Sequence, residues 1–459
     1  MKLKLQIIVE SETYEVPIVE EIACLQREAL LPESLGLSLQ EGKEILKNLQ
    51  HAMVFSQTTE YIAQQKRCPQ CGREHPLKGE NHITYRTPFG KLNIPSPRLY
   101  VCACDASKGK SFSPLAEKLP ERTSPELLYL QSKWSSLMSY GMTVDLLEEI
   151  LPLETNVAST LLNTRKIAER IEGELKDEKP MFIEGCEREW EKLPEPQDPL
   201  TVGIDGGYVR GRAEQGREAG CFEVIAGKSM QEQGENKRFG FVSTYDEKPK
   251  RRLYEMLMSQ GLQMNQAITF LSDGGDTVRD LQLYMTPYAE HILDWFHVTM
   301  RITVMKQMAK GLPVSELLKD IEHDIESTKW YLWHGNVFRA LQLLEDMENN
   351  LDCVDSEKKI LNLKKAVSEF QVYISRNRNF IPNYQQRYFY GECISSAFVE
   401  STINEVVSKR MCKKQQMRWT QKGAHLLLQV RTKTLNNELK ETFQRWYPGS
   451  QTREEKEAA

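Results

Sequence analysis

The sequence predicts an α/β protein: a mixed sheet with elements in the order β-β-β-α-β-α-β, followed by a helical block and preceded by a cysteine-bearing ribbon. Three observations predict it. Between 201 and 298, apolar runs of strand length alternate with helical patterns, and two of those runs end in an acid, Asp273 and Asp294. From 299 to 392 the pattern is nearly all helical. Upstream, Cys68-Pro-Gln-Cys71-Gly72 and Cys102-Ala-Cys104 flank strand-like sequence.

Length and composition set the bounds. A chain of 459 residues exceeds one ordinary core and implies roughly three or four modules. With 40% hydrophobic and 27% charged residues it is globular. Its apolar runs all fall short of the ~18 residues of a membrane helix, and residues 1–10 alternate like a strand rather than a signal peptide. A cytoplasmic, nucleoid-associated protein with no membrane partner is expected. Net charge is only −5, so nucleic-acid contact must come from local patches.

The elements follow in order. Residues 1–66 read as a strand pair and a helix, with Leu3, Leu5, Ile7 and Val9 on one face and Ser38 as N-cap. Residues 67–113 read as a zinc ribbon. Cys-x-x-Cys-Gly turns two thiolates toward one ion, and Zn²⁺ takes about four tetrahedral ligands. Ten scattered cysteines, four of them in two close pairs, favour metal over disulfide in a reducing compartment. The expected ligands are Cys68, Cys71, Cys102 and Cys104. Cys-x-Cys is one residue shorter than usual, so His75 and His82 stay open as substitutes. Residues 114–175 turn helical, with Ser124-Pro125 starting one helix and 139–143 breaking the pattern. The pair that follows suits a helix-turn-helix DNA-binding region, with Asn163, Thr164, Arg165 and Lys166 toward a groove; a plain helical hairpin has the same periodicity. Proline and acid mark 176–200 as a linker.

The first half of the core, 201–298, opens with Thr201-Val-Gly-Ile-Asp-Gly-Gly-Tyr-Val209. Glycines beside an acid let backbone, metal or substrate approach closely. Two further strands, a helix, the strand ending at Asp273, a second helix and His291–His297 complete the order seen in ribonuclease H-like folds, with acids at the first and fourth strands. A helical insertion, 299–392, precedes the last core segment, 393–447; 448–459 reads as a disordered tail. Trp330 and Trp333 have helical spacing and read as core, with base stacking as the alternative. In the helix around 398–410, Glu400 and Asn404 are four apart on one face.

Asp205, Asp273 and Glu400 are the candidate catalytic acids. Converging carboxylates repel, and divalent cations resolve the repulsion; oxygen ligands select Mg²⁺ or Mn²⁺. Two such ions can activate the attacking and leaving oxygens of a phosphodiester. Asp276 competes with Asp273, and Glu405 with Glu400. Asp273 is preferred because it directly ends its apolar run. Asp294, His297 and Asn404 are accessory candidates. Val406–Lys433 holds eight cations and no acid. Lys409, Arg410, Lys413, Lys414, Arg418, Trp419 and Lys422 are its expected DNA contacts, basic with an interleaved aromatic.

These pieces together resemble prokaryotic insertion-sequence transposases of the ISKra type, relatives of ISL-type and Mutator-like enzymes. The stretches are Cys68-Pro-Gln-Cys71-Gly, Arg86-Thr-Pro-Phe-Gly-Lys with Ser96-Pro-Arg98, Gly203-Ile-Asp-Gly-Gly, Ser272-Asp-Gly, Leu293-Asp-Trp-Phe-His297, Leu332-Trp-His-Gly335, Phe398–Met411 and Gln416-Met-Arg-Trp-Thr420. The resemblance spans nearly the whole chain. It implies a DDE triad of Asp205, Asp273 and Glu400, favours Glu400 over Glu405, and likens Asp294-x-x-His297 to a Mutator-like signature. It implies Mg²⁺- or Mn²⁺-dependent DNA transposition: cleavage at the element's terminal inverted repeats and transfer into target DNA, by an assembly of at least two protomers. A catalytically silent, sequence-specific regulator derived from such an enzyme is the alternative. A cellular ribonuclease H-like nuclease would need neither ribbon nor insertion.

Overall fold

The computed structural model describes every residue except 11–16, 105–109, 197–198, 214–219, 232–233, 313–315, 353–357, 396–400, 413–416 and 451–459. The chain divides into two compact units, Met1–Ile167 with Glu438–Ala459, and Ala168–Asn437.

The first unit opens with an antiparallel hairpin, β1 (Lys2–Val9) and β2 (Ile18–Gln26). Helix α1 (Leu39–Gln65) starts at Ser38, which closes a capping box with Glu41. A three-stranded antiparallel sheet follows: β3 (Leu77–Thr87), β4 (Gly90–Tyr100) and β5 (Ser111–Phe112). Its alternating Ile83, Leu92 and Ile94 pack with Leu115 of α2 (Pro114–Lys118). Helix α3 (Pro125–Leu137) is capped by Ser124, as expected. Helix α4 (Tyr140–Ile150) starts earlier than the pattern suggests: Ser139 caps it, and Gly141 sits inside it. Helix α5 (Val157–Glu174) follows.

In the second unit the stretch read as a linker is packed down. Phe182 is buried, donates its N–H to the Tyr284 carbonyl at 2.9 Å and stacks on Tyr254; α6 (Glu187–Trp190) is a single turn. Then come β6 (Leu200–Arg210), β7 (Cys221–Met230), β8 (Lys237–Val242), α7 (Pro249–Met258), β9 (Ile268–Ser272), α8 (Asp276–Gln282) and β10 (Ala289–Leu293). This is the predicted order. The sheet runs β10-β9-β6-β7-β8, with β6, β7 and β8 antiparallel and β9 and β10 parallel to β6. Val202, Ile204, Ile225, Phe239 and Phe241 form one apolar cluster with Leu253, Leu257, Val278 and Leu281 of the two helices.

The helical block is α9 (Trp295–Lys310), α10 (Glu316–Trp333), α11 (Val337–Asp352), α12 (Lys358–Arg376) and α13 (Tyr384–Phe389). Its core, including Ile302, Met305, Leu344, Val367 and Phe370, takes in Leu271 of β9 and Ile292 and Leu293 of β10. The fifth strand is shorter than expected. It stops at Leu293, because Asp294 caps α9 by accepting the Phe296 N–H, and this places His297 in the helix's first turn. The chain returns as helical residues 401–411, π-helical over Asn404–Ser408, and then as the helix Gln421–Leu435. Among the described residues, no helix is long and apolar enough to cross a membrane.

Candidate functional site

Strand register places three acids side by side. Ile204 of β6 pairs with Ser272 of β9, which pairs with Leu293 of β10. The next residue on each chain is an acid: Asp205, Asp273 and Asp294. They stand at one level on three adjacent strands spaced about 4.8 Å apart: Asp273 and Asp294 directly follow β9 and β10, while Asp205 lies within β6, which runs on to Arg210 along β7. Asp205 and Asp273 are half-buried, and Asp294 is fully buried.

Local hydrogen bonds orient each acid. Asp205 Oδ1 accepts the Gly206 N–H at 2.8 Å, and Asp273 Oδ1 accepts the Gly275 N–H at 2.9 Å. Burial pushes the Asp205 carboxyl above its usual range. Asp273 and Asp294 add to that rise, while the Gly206 N–H and His297 oppose it. The Asp205 carboxyl thus senses both neighbouring acids and the histidine. His297 Nδ1 is buried without a hydrogen-bond partner, 3.7 Å from Asp294 Oδ2. Asp276, the competitor of Asp273, opens α8 with a side chain almost wholly exposed.

The returning helix lies on the same face as Asp205. Gly207 is two residues along β6 and therefore points the same way. A Cβ on Gly207 would stand 3.1 Å from Ile403 Cγ2, and one on Gly240 would stand 3.4 Å from Val406 Cγ1. Absent side chains on the sheet let the helix settle onto it. Glu405 is spent on Arg238, at 2.8 Å. Asn404 Oδ1 is buried without a hydrogen-bond partner, at the start of the π-turn. Glu400 lies outside the described residues, as do Lys413 and Lys414.

The basic tract divides. Lys409, Arg418 and Lys422 are exposed, Lys422 with Glu169 at 3.1 Å. Arg410 and Trp419 are buried, the guanidinium 5.1 Å from the ring centroid, and Trp419 exchanges backbone hydrogen bonds with Arg210 and Arg212 at the end of β6. That pair packs the interior and is no part of the exposed surface. Of the groove candidates, Thr164 is buried, Asn163 donates to Gln131 at 2.7 Å, and Lys166 pairs with Glu121. Trp333 packs against the helical core as expected. Trp330 does not: it is 58% exposed and lines an open groove with Trp295, Trp333 and His323.

Among the described residues, two groups of three or more metal-ligating side chains bring all their ligand atoms within 4.8 Å of one another. The first is Cys68, Cys71, Cys102 and Cys104. Cys71 and Cys102 Sγ are 3.4 Å apart, Cys102 and Cys104 Sγ 3.5 Å. Gly72, at φ +69°, makes the tight turn, and its N–H reaches the Cys68 carbonyl. The short Cys-x-Cys therefore does bring both thiols to the group, while His75 Nδ1 is engaged with the Tyr100 carbonyl at 2.9 Å. Hydrogen bonds from the Cys104 N–H and the Cys71 thiol pull the Cys102 thiol down to about 7, and bonding to Cys71 and Cys102 pushes Cys104 up to about 12. So crowded a thiol set suits a soft, tetrahedral cation such as Zn²⁺.

The second group, Glu172, Asp246 and His425, already holds a cation. Arg252 donates to Asp246 and Glu172 at 2.9–3.1 Å and to Gln429 at 2.6 Å. Sequence reading missed this cluster because its members are scattered from 172 to 429. The three acids in the sheet stand in a row and do not form such a group.

No protein-family model and no curated protein matches the chain. Among solved structures, it is similar to the Drosophila P element transposase strand transfer complex. Identity is 10% and the TM-score 0.22, over 70% of this chain and 80% of that one. A likeness this slight carries no argument about fold or function.

Proposed function

We propose that this chain is a DDE-type DNA transposase built on a ribonuclease H-like core. The observation that carries the reading is the register itself, which brings Asp205 and Asp273 to one level on adjacent strand paths, with Asp205 on the face the returning helix covers. Glu400 supplies the third carboxylate. Its assignment rests on the sequence, where it stands three residues before Ile403, whose side chain meets the Gly207 position. Glu405, held by Arg238, is not available for that role.

The residues fit a divalent cation: Asp205 and Asp273 are hard, half-buried oxygen donors, and burial, with the neighbouring acid charges adding to it, raises the Asp205 carboxyl. Asp205, Asp273 and Glu400 would hold it, and when bound it supplies Lewis-acid assistance to phosphodiester cleavage. His297 and Asp294 tune the charge beside Asp205. Lys409, Arg418 and Lys422 offer charge to the phosphate backbone. The four cysteines hold Zn²⁺ and brace a ribbon that, with the helices after it, binds the element's ends as DNA.

The test is Asp205→Asn with DNA carrying the terminal inverted repeats that this reading requires. Mg²⁺-dependent nicking is expected to fall about a thousandfold, several kcal/mol of lost assistance, with end binding kept. Undiminished nicking would remove Asp205 from the mechanism. End binding without any metal-dependent nicking in the unaltered chain would indicate the silent regulator instead.

A further inference from the structure

The turn that carries Asp273 is gripped by the helical block. Strand β9 ends at Ser272, and the chain leaves the sheet through Asp273-Gly274-Gly275 before α8. Gly274 is at φ +78°, a conformation that favours glycine. A Cβ there would stand 2.3 Å from Asn377 Oδ1. Asn377 directly follows α12, about a hundred residues further along the chain, and is 3% exposed. Its Nδ2 donates to the Tyr373 carbonyl at 2.9 Å, which turns Oδ1 toward the turn.

Both peptide groups of Gly274 are then fixed. Its N–H reaches Ser272 Oγ at 3.3 Å, and Ser272 Oγ in turn lies 2.8 Å from His291 Nε2. Its carbonyl accepts from Arg279 at 3.1 Å, and the same nitrogen donates to Asn377 Oδ1 at 2.6 Å. Phe380 closes the grip. Arg279 lies 4.9 Å from the centroid of its ring, and the His291 ring lies 4.5 Å away. Asp273 sits between Ser272 and Gly274, so these contacts leave its backbone little freedom.

We infer that Asn377 is a positioning residue for Asp273, by which the helical block completes the acid site. The inference rests on the metal-dependent reading of that site. Groups that orient a ligand without touching the ion typically govern metal affinity 10- to 100-fold.

The experiment is Mn²⁺ titration of the full-length, zinc-replete chain by calorimetry, beside its thermal unfolding. Asn377→Ala is expected to weaken Mn²⁺ binding by about tenfold or more. Asn377→Asp, which keeps an acceptor for Arg279, is expected to retain most of the affinity. Should Asn377→Ala not fold, Arg279→Met loosens the same turn from a partly exposed position and is expected to act in the same direction. Unchanged Mn²⁺ affinity in a folded variant of either residue, with Asp205→Asn weakened, overturns this inference alone. Mn²⁺ binding indifferent to Asp205→Asn as well overturns the acid site beneath it.

Discussion

At Gly207 the missing side chain sets the distance between helix and sheet. The space a Cβ would need is bounded by Ile403 Cγ2 at 3.1 Å and by the Val224 carbonyl and Val407 Cγ1 at 3.9 Å. Gly207→Val therefore has no room. It is expected to destabilise the chain by roughly 1–3 kcal/mol, read as a lower urea midpoint, and to lower nicking by lifting the helix that follows Glu400. Normal stability with normal nicking would mean that the helix is free to shift there. The glycine pair beside Asp205 is visible in the sequence, and so is the reason for it: close approach. What approaches is a segment about two hundred residues away, which the residues around 205 do not reveal. The preference for Asp273 over Asp276 rests on the end of the apolar run; the structure has Asp273 directly after β9 and Asp276 exposed at the start of α8.

At the scale of elements, the cysteine ribbon was legible because its chemistry is local. Two close pairs flank two strands, and antiparallel pairing brings the pairs together. The chain is expected to carry about one Zn²⁺ per molecule. Cys71→Ser or Cys102→Ser should lose most of it by elemental analysis and destabilise the strands from Leu77 to Tyr100. A zinc content unaffected by both changes would leave the thiols as a metal-free cluster. Other boundaries were less legible. An Asp after an apolar run reads equally as the last residue of a strand or the cap of a helix, and at Asp294 the cap wins because its carboxylate meets the Phe296 N–H. The basic tract reads as one surface, yet Arg410 turns inward onto Trp419. A charged residue's side of a helix depends on what that helix packs against.

At the scale of the second unit, an ion cluster joins three distant segments. Arg252 of α7 links Glu172 of α5, Asp246 before α7, and Gln429 of the helix that also carries His425. Burial pushes the Glu172 carboxyl up, but His425 and Arg252 outweigh it and bring it from its ordinary 4.5 to about 2. A carboxyl lowered in the folded state adds stability that is complete above 4.5 and is lost as pH falls toward 2. The displacement corresponds to roughly 3 kcal/mol. Glu172→Gln should be less stable at pH 7 by an amount of that order, and it should lose less than the unaltered chain between pH 5 and pH 2.5. Equal acid sensitivity in urea unfolding would show that the cluster is not the source.

The sequence by itself determined the order of strands and helices, an acid within the first strand and one after the fourth, and the cysteine pairs. Each of these depends on periodicity or on residues close in the chain. Only the tertiary structure decided which charges are buried, that Arg252 rather than a metal fills the Glu172 group, and that Asn377 reaches Gly274. Those outcomes depend on contacts between segments whose separation along the chain leaves no periodic mark, and on burial, which sets whether a charge meets water or a partner.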